Sequence, residues 1–233
     1  MFDLSAPYYD LIYSFKNYAK EAEIIRGLLT RLLPNARTIL DVACGTGEHD
    51  RFLKRDYSID GIDLNSTLLE IARAKNPEST YTVGDMRNFD LGRTYDSIIC
   101  LFSAIGSMKT AEDLASTLRS FRRHLLSAGL ALVEPWLSPD HWKPGAVQLL
   151  TARDERHTLC RMAQGGWASS RVSTLNFHYL VGSVKGMEHF TETEQLGLFT
   201  YDEIKQAFEA AGFQVQFDPE GLIGRGLYIA RAA

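Results

Sequence analysis

Three short stretches of this 233-residue chain hold residue types that could cradle a nucleoside. The first is Leu40-Asp41-Val42-Ala43-Cys44-Gly45-Thr46-Gly47. Glycines at 45 and 47 let the backbone turn sharply and approach a ligand closely, because no Cβ intervenes, and Ala43 leads into that turn. The second is Asp63-Leu64, with the carboxylate 18 positions beyond Gly45, where it can accept from both hydroxyls of a ribose. The third is Gly84-Asp85-Met86: Asp85 can accept from an adenine amino group while Met86 packs against the ring. Leu101 and Phe102 are placed to cover its other face. All of these lie at the ends of expected strands, where ligands collect in open α/β sheets.

A glycine loop of this kind can serve several nucleotides, so the residues after it matter. Glu48, His49 and Asp50 open the next helix, and position 50 is where a dinucleotide fingerprint wants a small residue. Acidic groups there would repel a pyrophosphate, which prefers an uncluttered helix N-terminus. A sulfonium nucleoside has no phosphate and meets no such penalty. The loop therefore favours S-adenosylmethionine over NAD as cofactor.

These positions need a parallel sheet to hold them. Helical spacing runs over 19–33 and stops at Pro34-Asn35; TILDVA (38–43) is a buried strand followed by a helix over 48–55. The strand at 58–64, a helix at 66–75 with Ser66 as its cap, and strands at 80–85 and 95–102 come next. A helix over 111–126 and a strand over 130–136 complete the alternation, which implies right-handed βαβ units. After the helix at 201–211, strands at 213–218 and 226–232 are close enough to pair as an antiparallel hairpin. Residues 137–198 differ in character: polar and apolar residues alternate over 159–164, 171–181 and 187–199, as in a small inserted antiparallel sheet. The expected fold is α/β, a Rossmann-like sheet with a terminal antiparallel hairpin and this insertion, in one domain over 1–233. The insertion is the expected place for acceptor binding, and its strand edges could pair two copies into a homodimer.

Bulk properties narrow the class. Hydrophobic residues make up 45 % and charged residues 23 %, enough apolar material for one sizeable core. A formal net charge of -4 offers no general attraction to nucleic acid, and Arg119, Arg122, Arg123 and His124 read as the solvated face of one helix. The aromatic, acidic start lacks the regions of a signal peptide, and no uncharged run of about 18 apolar residues suggests a membrane span. Three widely spaced cysteines, Cys44, Cys100 and Cys160, argue against disulfides and metal ligation, and Cys44 and Cys100 read as small buried hydrophobes. A cytoplasmic enzyme of a small molecule, with no metal, is expected.

The chain resembles the class I S-adenosylmethionine-dependent methyltransferases, and within them the N-methyltransferases of nucleotide-linked amino sugars in deoxysugar biosynthesis, the desosamine and mycaminose type. The resemblance covers nearly the whole sequence. It rests on YYDLIY (8–13), LDVACGTGEH (40–49), GDMRNF (84–89), LFSAIG (101–106), LVEPW (132–136), NFHYLV (176–181), HFTETEQLGLFT (189–200) and GRGLYIA (224–230). It implies a dTDP-linked aminodeoxyhexose as acceptor, methylated once or twice on nitrogen. It also implies that Tyr13 and Trp136 contact the sugar, and that Arg161, Arg171 and Arg225 are candidates for the diphosphate. An arginine's planar fork suits that role because it bonds two phosphate oxygens at once. Relatives often carry an aromatic residue or histidine after FSAIG; here Ser107 stands near the expected acceptor nitrogen.

Methyl transfer from a sulfonium to an amine mainly requires the reacting atoms in line, at about 3–3.5 Å. The amine must first lose its proton. Tyr13, Glu134 and His189 are the expected polar groups beside it, with Glu134 orienting the amine and His189 a candidate base because its ordinary pKa is near neutral. Three readings compete with this one: an NAD-dependent dehydrogenase, a methyl-donor-binding regulator without turnover, and an O-methyltransferase or a methyltransferase of another metabolite.

Overall fold

Short apolar strands make the central layer. In the computed structural model, which describes residues 4–233, β1 (Thr38–Val42), β2 (Ser58–Asp63), β3 (Thr80–Val83), β4 (Tyr95–Cys100) and β5 (Leu125–Val133) are parallel neighbours. Four further strands, β6 (Val147–Arg153), β7 (His157–Ser169), β8 (Val172–Ser183) and β9 (Gly186–Gly197), form a separate antiparallel meander. The last two, β10 (Phe213–Asp218) and β11 (Leu227–Ala232), return to the main sheet, where β11 runs antiparallel to both β5 and β10. The main sheet has the order β10-β11-β5-β4-β1-β2-β3. The strand order reverses beside β1, so a crevice opens at the carboxyl ends of β1 and β4.

Both faces of this sheet are covered. On one, α2 (Tyr18–Leu32) and α3 (Glu48–Leu53) lay Ile25, Leu29 and Leu53 on Ile39, Ile99 and Leu132. On the other, α5 (Ala111–Arg123) and α6 (Tyr201–Ala210) lay Leu118, Phe121 and Phe208 on Leu40, Ile98 and Tyr228. The short α4 (Ser66–Lys75) packs Leu69 and Ala72 against Tyr81. Burial on both faces is why β4 reads as an uninterrupted apolar run.

Local chemistry shifts several boundaries. Asn17 caps α2 by accepting from the Lys20 amide at 3.0 Å, so the helix begins at Tyr18, one residue before the expected spacing. The cap of α4 is Asn65, whose Oδ1 accepts from the Leu68 amide at 3.1 Å; Ser66 is already the first helical residue. Helix α5 stops at Arg123 and the chain enters β5 at Leu125, passing through a left-handed Ala128. His124 is not on a solvated face. It is 3 % exposed, stacks on Phe89 with ring centroids 4.2 Å apart, and its two ring nitrogens meet the Ser120 carbonyl and the Leu91 amide. Among the neighbouring arginines, Arg119 is paired with Glu112 at 2.7 Å.

The inserted sheet has one strand more than the alternation reveals. β6 is exposed along most of its length, and VQLLTAR carries no period-two pattern. Inward residues of the insertion, Leu159, Phe177, Tyr179 and Val181, close over Ile12 and Tyr13 of the N-terminal segment. Its opposite face leaves Leu149, Met162, Leu180 and Met187 exposed. Among the described residues no helix is long and apolar enough to cross a membrane.

Candidate active site

The loop after β1 is shaped by left-handed backbone at Ala43, Gly45 and Gly47. Ala43 and Gly45 line a cavity of about 860 Å³ at the carboxyl ends of the strands. That is towards the large end of small-molecule sites, which span roughly 300–1,000 Å³. Gly47 does not line it. A Cβ there would stand 2.7 Å from Asn76 Nδ2 and 2.8 Å from Tyr81 Oη, so this glycine is required by packing beneath the loop.

Asp63 serves the loop and the cavity together. Its Oδ2 accepts from the Gly45 amide at 2.9 Å, its Oδ1 from the Asn65 amide at 2.8 Å, and the residue lines the cavity. Burial pushes its carboxyl above the ordinary value, against the pull of those amides. Leu64, Met86 and Leu101 supply apolar wall around it. A carboxylate with free lone pairs beside an apolar slot suits the ribose and adenine of S-adenosylmethionine.

The acidic helix start is arranged otherwise than the sequence suggests. Asp50 is fully buried and accepts from Tyr81 Oη at 2.7 Å, His49 contacts Glu21 at 2.8 Å, and Glu48 pairs with Lys75 at 2.7 Å. The ligand side of the loop is covered instead by α1 (Tyr9–Ile12). Asp10 accepts from Thr46 Oγ1 at 2.6 Å and also pairs with Lys75, while the Tyr9 ring lies 3.9 Å from the place of a Gly45 Cβ. This roof leaves a pyrophosphate no open helix terminus.

Asp85 is turned away from the adenine slot. Arg87 grips its carboxylate through Nε at 3.0 Å and Nη2 at 2.5 Å, and holds the carboxyl below its ordinary range. Its neighbours Gly84 and Met86 line the cavity, but Asp85 does not. Phe102, expected beside Leu101 over the same ring, instead has φ 52 and directs its ring edge-on to Tyr13, centroids 5.0 Å apart, at the other end of the cavity.

The other end of the cavity gathers residues distant in sequence. Tyr13 is 8 % exposed and accepts from Arg161 Nη1 at 3.2 Å. The Arg161 guanidinium lies 5.4 Å from the Tyr13 ring and 5.1 Å from that of Phe177. Arg225 donates to Ser103 Oγ at 3.2 Å and stands 5.7 Å from the Trp136 ring. Trp136 is itself held by its Nε1 donating to Ser173 Oγ at 3.1 Å. All of these except Ser173 line the cavity, as does Ser107.

Three expected site residues lie elsewhere. Glu134 is fully buried behind Phe102, whose amide it binds at 2.5 Å, so it shapes the turn after β4 and does not line the cavity. His189 points from the outer face of β9 towards His178, 3.4 Å away, because odd-numbered residues of this strand face solvent. Arg171 is engaged by Glu203, across an exposed corner. In place of His189, the same alternation brings Glu194 inward, into the cavity wall. Its signal was legible: in HFTETEQL, Phe190, Glu192, Glu194 and Leu196 share one face. Among the described residues no three His, Cys, Asp or Glu side chains gather as a metal site would require.

A family model described as a methyltransferase domain matches residues 39–129. The chain is 37 % identical over 227 residues, 96 % of its length and 89 % of the other's, to a dTDP-3-amino-3,6-dideoxy-alpha-D-glucopyranose N,N-dimethyltransferase of Streptomyces fradiae. The crystal structure of Streptomyces venezuelae DesVI superposes with a TM-score of 0.93 at 35 % identity, covering 98 % of each chain. S-adenosylmethionine-bound CalS10 of Micromonospora echinaspora, an amino pentose methyltransferase, gives 0.85 at 32 % identity, covering 94 % of this chain and 92 % of that one. A chain with this loop, this cavity and relatives of this closeness along its whole length belongs to the family of S-adenosylmethionine-dependent sugar N-methyltransferases.

Proposed function

We propose that this enzyme transfers a methyl group from S-adenosylmethionine to the amino nitrogen of a dTDP-linked aminodeoxysugar. The carrying observation is one cavity with two unlike ends. One has the Gly45 loop and Asp63, suited to the donor; the other has Tyr13, Trp136, Arg161 and Arg225 between the main sheet and the insertion. Two arginines held by hydroxyls and aromatic faces suit a diphosphate. On this reading Arg225 and Arg161 bind the diphosphate, Trp136 and Phe102 wall the sugar, and Tyr13 hydrogen-bonds near the nitrogen. Residues 137–198 form the acceptor lid.

The bound donor supplies an electrophilic methyl carbon on sulfur. The protein's part is to align the nitrogen with it and to keep water out, for which Phe102, Trp136 and the insertion are placed. The exposed apolar face of the insertion, with Leu149, Met162, Leu180 and Met187, suits contact with a second copy.

The test is mass spectrometry of products after incubation with S-adenosylmethionine and a panel of dTDP-3-amino and dTDP-4-amino sugars. One or two methyl additions on nitrogen are expected. Methyl found on oxygen, or no product from any amino sugar, refutes the acceptor assignment.

A further inference from the structure

Glu188, Glu192 and Glu194 share one face of β9; Glu188 is exposed at its far end, and the other two have different tasks. Glu192 binds the N-terminal segment: its Oε2 accepts from Ser5 Oγ at 2.6 Å, and its Oε1 from the Leu4 and Ser5 amides at 2.9 and 3.1 Å. Glu194 faces the cavity, across from Leu175 on β8. The charged and titratable described groups around it are Arg161 on β7, Glu192 on β9, Tyr9 at the start of α1 and Tyr13 just after it. Tyr179 on β8 stands directly across from Arg161, and β6 adds only the neutral Gln148 to the wall.

We propose that Glu194 is the carboxylate that holds the acceptor's ammonium group beside Tyr13 and takes its proton before methyl transfer. The inference rests on the amino-sugar reading above. An alkyl amine is protonated at neutral pH, as a lysine is, and then has no lone pair to attack with. A carboxylate in a largely apolar pocket attracts that cation.

The other acids of the cavity are committed. Asp63 clamps the Gly45 loop and faces the donor end. Glu21 is bound through both oxygens by Lys16 at 2.7 and 2.8 Å and meets His49, which together hold it below its ordinary range and make it a weak base. Burial raises the phenols of Tyr9 and Tyr13, so they stay protonated and serve as hydrogen-bonding groups. Glu194 is raised by burial to about 7, with Glu192 adding to the rise and Arg161 opposing it. A base of that strength matches neutral pH.

The ammonium gives one proton to the Glu194 carboxylate, leaving a neutral amine and a carboxylic acid. The nitrogen lone pair then forms the bond to the methyl carbon as the carbon–sulfur bond breaks, its electron pair staying on sulfur. The positive charge passes from sulfur to nitrogen. Glu194 releases its proton to solvent through the cavity mouth and can accept the next one from the methylated ammonium.

The test compares wild type, E194Q and E194D in kcat and KM against pH, with S-adenosylhomocysteine calorimetry on each. The wild type is expected to lose kcat/KM on the acid side with a midpoint near 7. E194Q should lose that limb and about 10²-fold in kcat, with donor affinity intact. E194D should keep the limb at a lower kcat. An unchanged kcat and limb in E194Q overturn the proposal, and so does an effect on KM alone, which would mark simple binding. Should E194Q fail to bind S-adenosylhomocysteine, a limb absent from E194D overturns it as well. If the wild type methylates amino sugars while E194Q keeps its limb, this inference alone falls; a wild type inactive on every amino sugar removes the acceptor assignment too.

Discussion

Replacing Asp63 with alanine tests the donor cradle directly. Asp63 already accepts the Gly45 amide at 2.9 Å and the Asn65 amide at 2.8 Å, with the Leu64 amide also turned to it, and it still lines the cavity, where it can accept from the ribose hydroxyls. Two hydrogen bonds to a charged group contribute about 1.5–3 kcal/mol each, so D63A should cost about 3–6 kcal/mol of donor binding. That corresponds to a Kd weaker by about 10²–10⁴. Loss of the Gly45 contact also loosens the loop and adds to the effect. D63N discriminates: it keeps one acceptor and the volume, but its amide group opposes the Gly45 amide, so it too should weaken binding strongly. The assay is calorimetric titration with S-adenosylhomocysteine at fixed salt, alongside a melting curve for each variant. A D63A protein that melts normally and binds within about threefold of wild type would refute the assignment of Asp63 to the ribose.

Other consequences follow from the same geometry. R225A should raise KM for the nucleotide sugar about 10–100-fold, as for one or two lost charge-assisted bonds, and leave donor affinity unchanged in calorimetry. G47A should destabilise the fold by about 1–3 kcal/mol, read from denaturant midpoints, because its Cβ meets Asn76 and Tyr81 within 2.8 Å. Glu194 has a raised pKa, so its protonated form is the one folding favours, and its contribution to stability falls as pH rises through about 7. E194Q should therefore melt higher than wild type at alkaline pH, by up to about 3 kcal/mol of stability, and the difference should close in acid. A difference constant with pH would contradict the burial of that carboxylate.

The loop after β1 and the acid beside it were legible because they are local. Glycines, an acid at the end of the next strand and apolar strand runs follow one another along the chain, and the strand ends bring them together wherever such a sheet forms. The parallel order and the terminal hairpin were likewise readable from alternation and connection length. Local pattern misplaced side chains whose direction depends on a partner: Asp85 turns to Arg87, Asp50 to Tyr81, and Arg171 to Glu203.

The acceptor end depends on contacts far apart in sequence. Tyr13 meets Arg161, and Arg225 meets Ser103, across 148 and 122 residues. Register on β9 decided the remaining point, for a period of two puts His189 in solvent and Glu194 in the cavity, one strand face apart. Sequence by itself determined the family of fold and the class of donor, since both are written in neighbouring residues. Only the tertiary structure decided which acid and which arginines line the cavity, because a side chain's direction is settled by what packs against it.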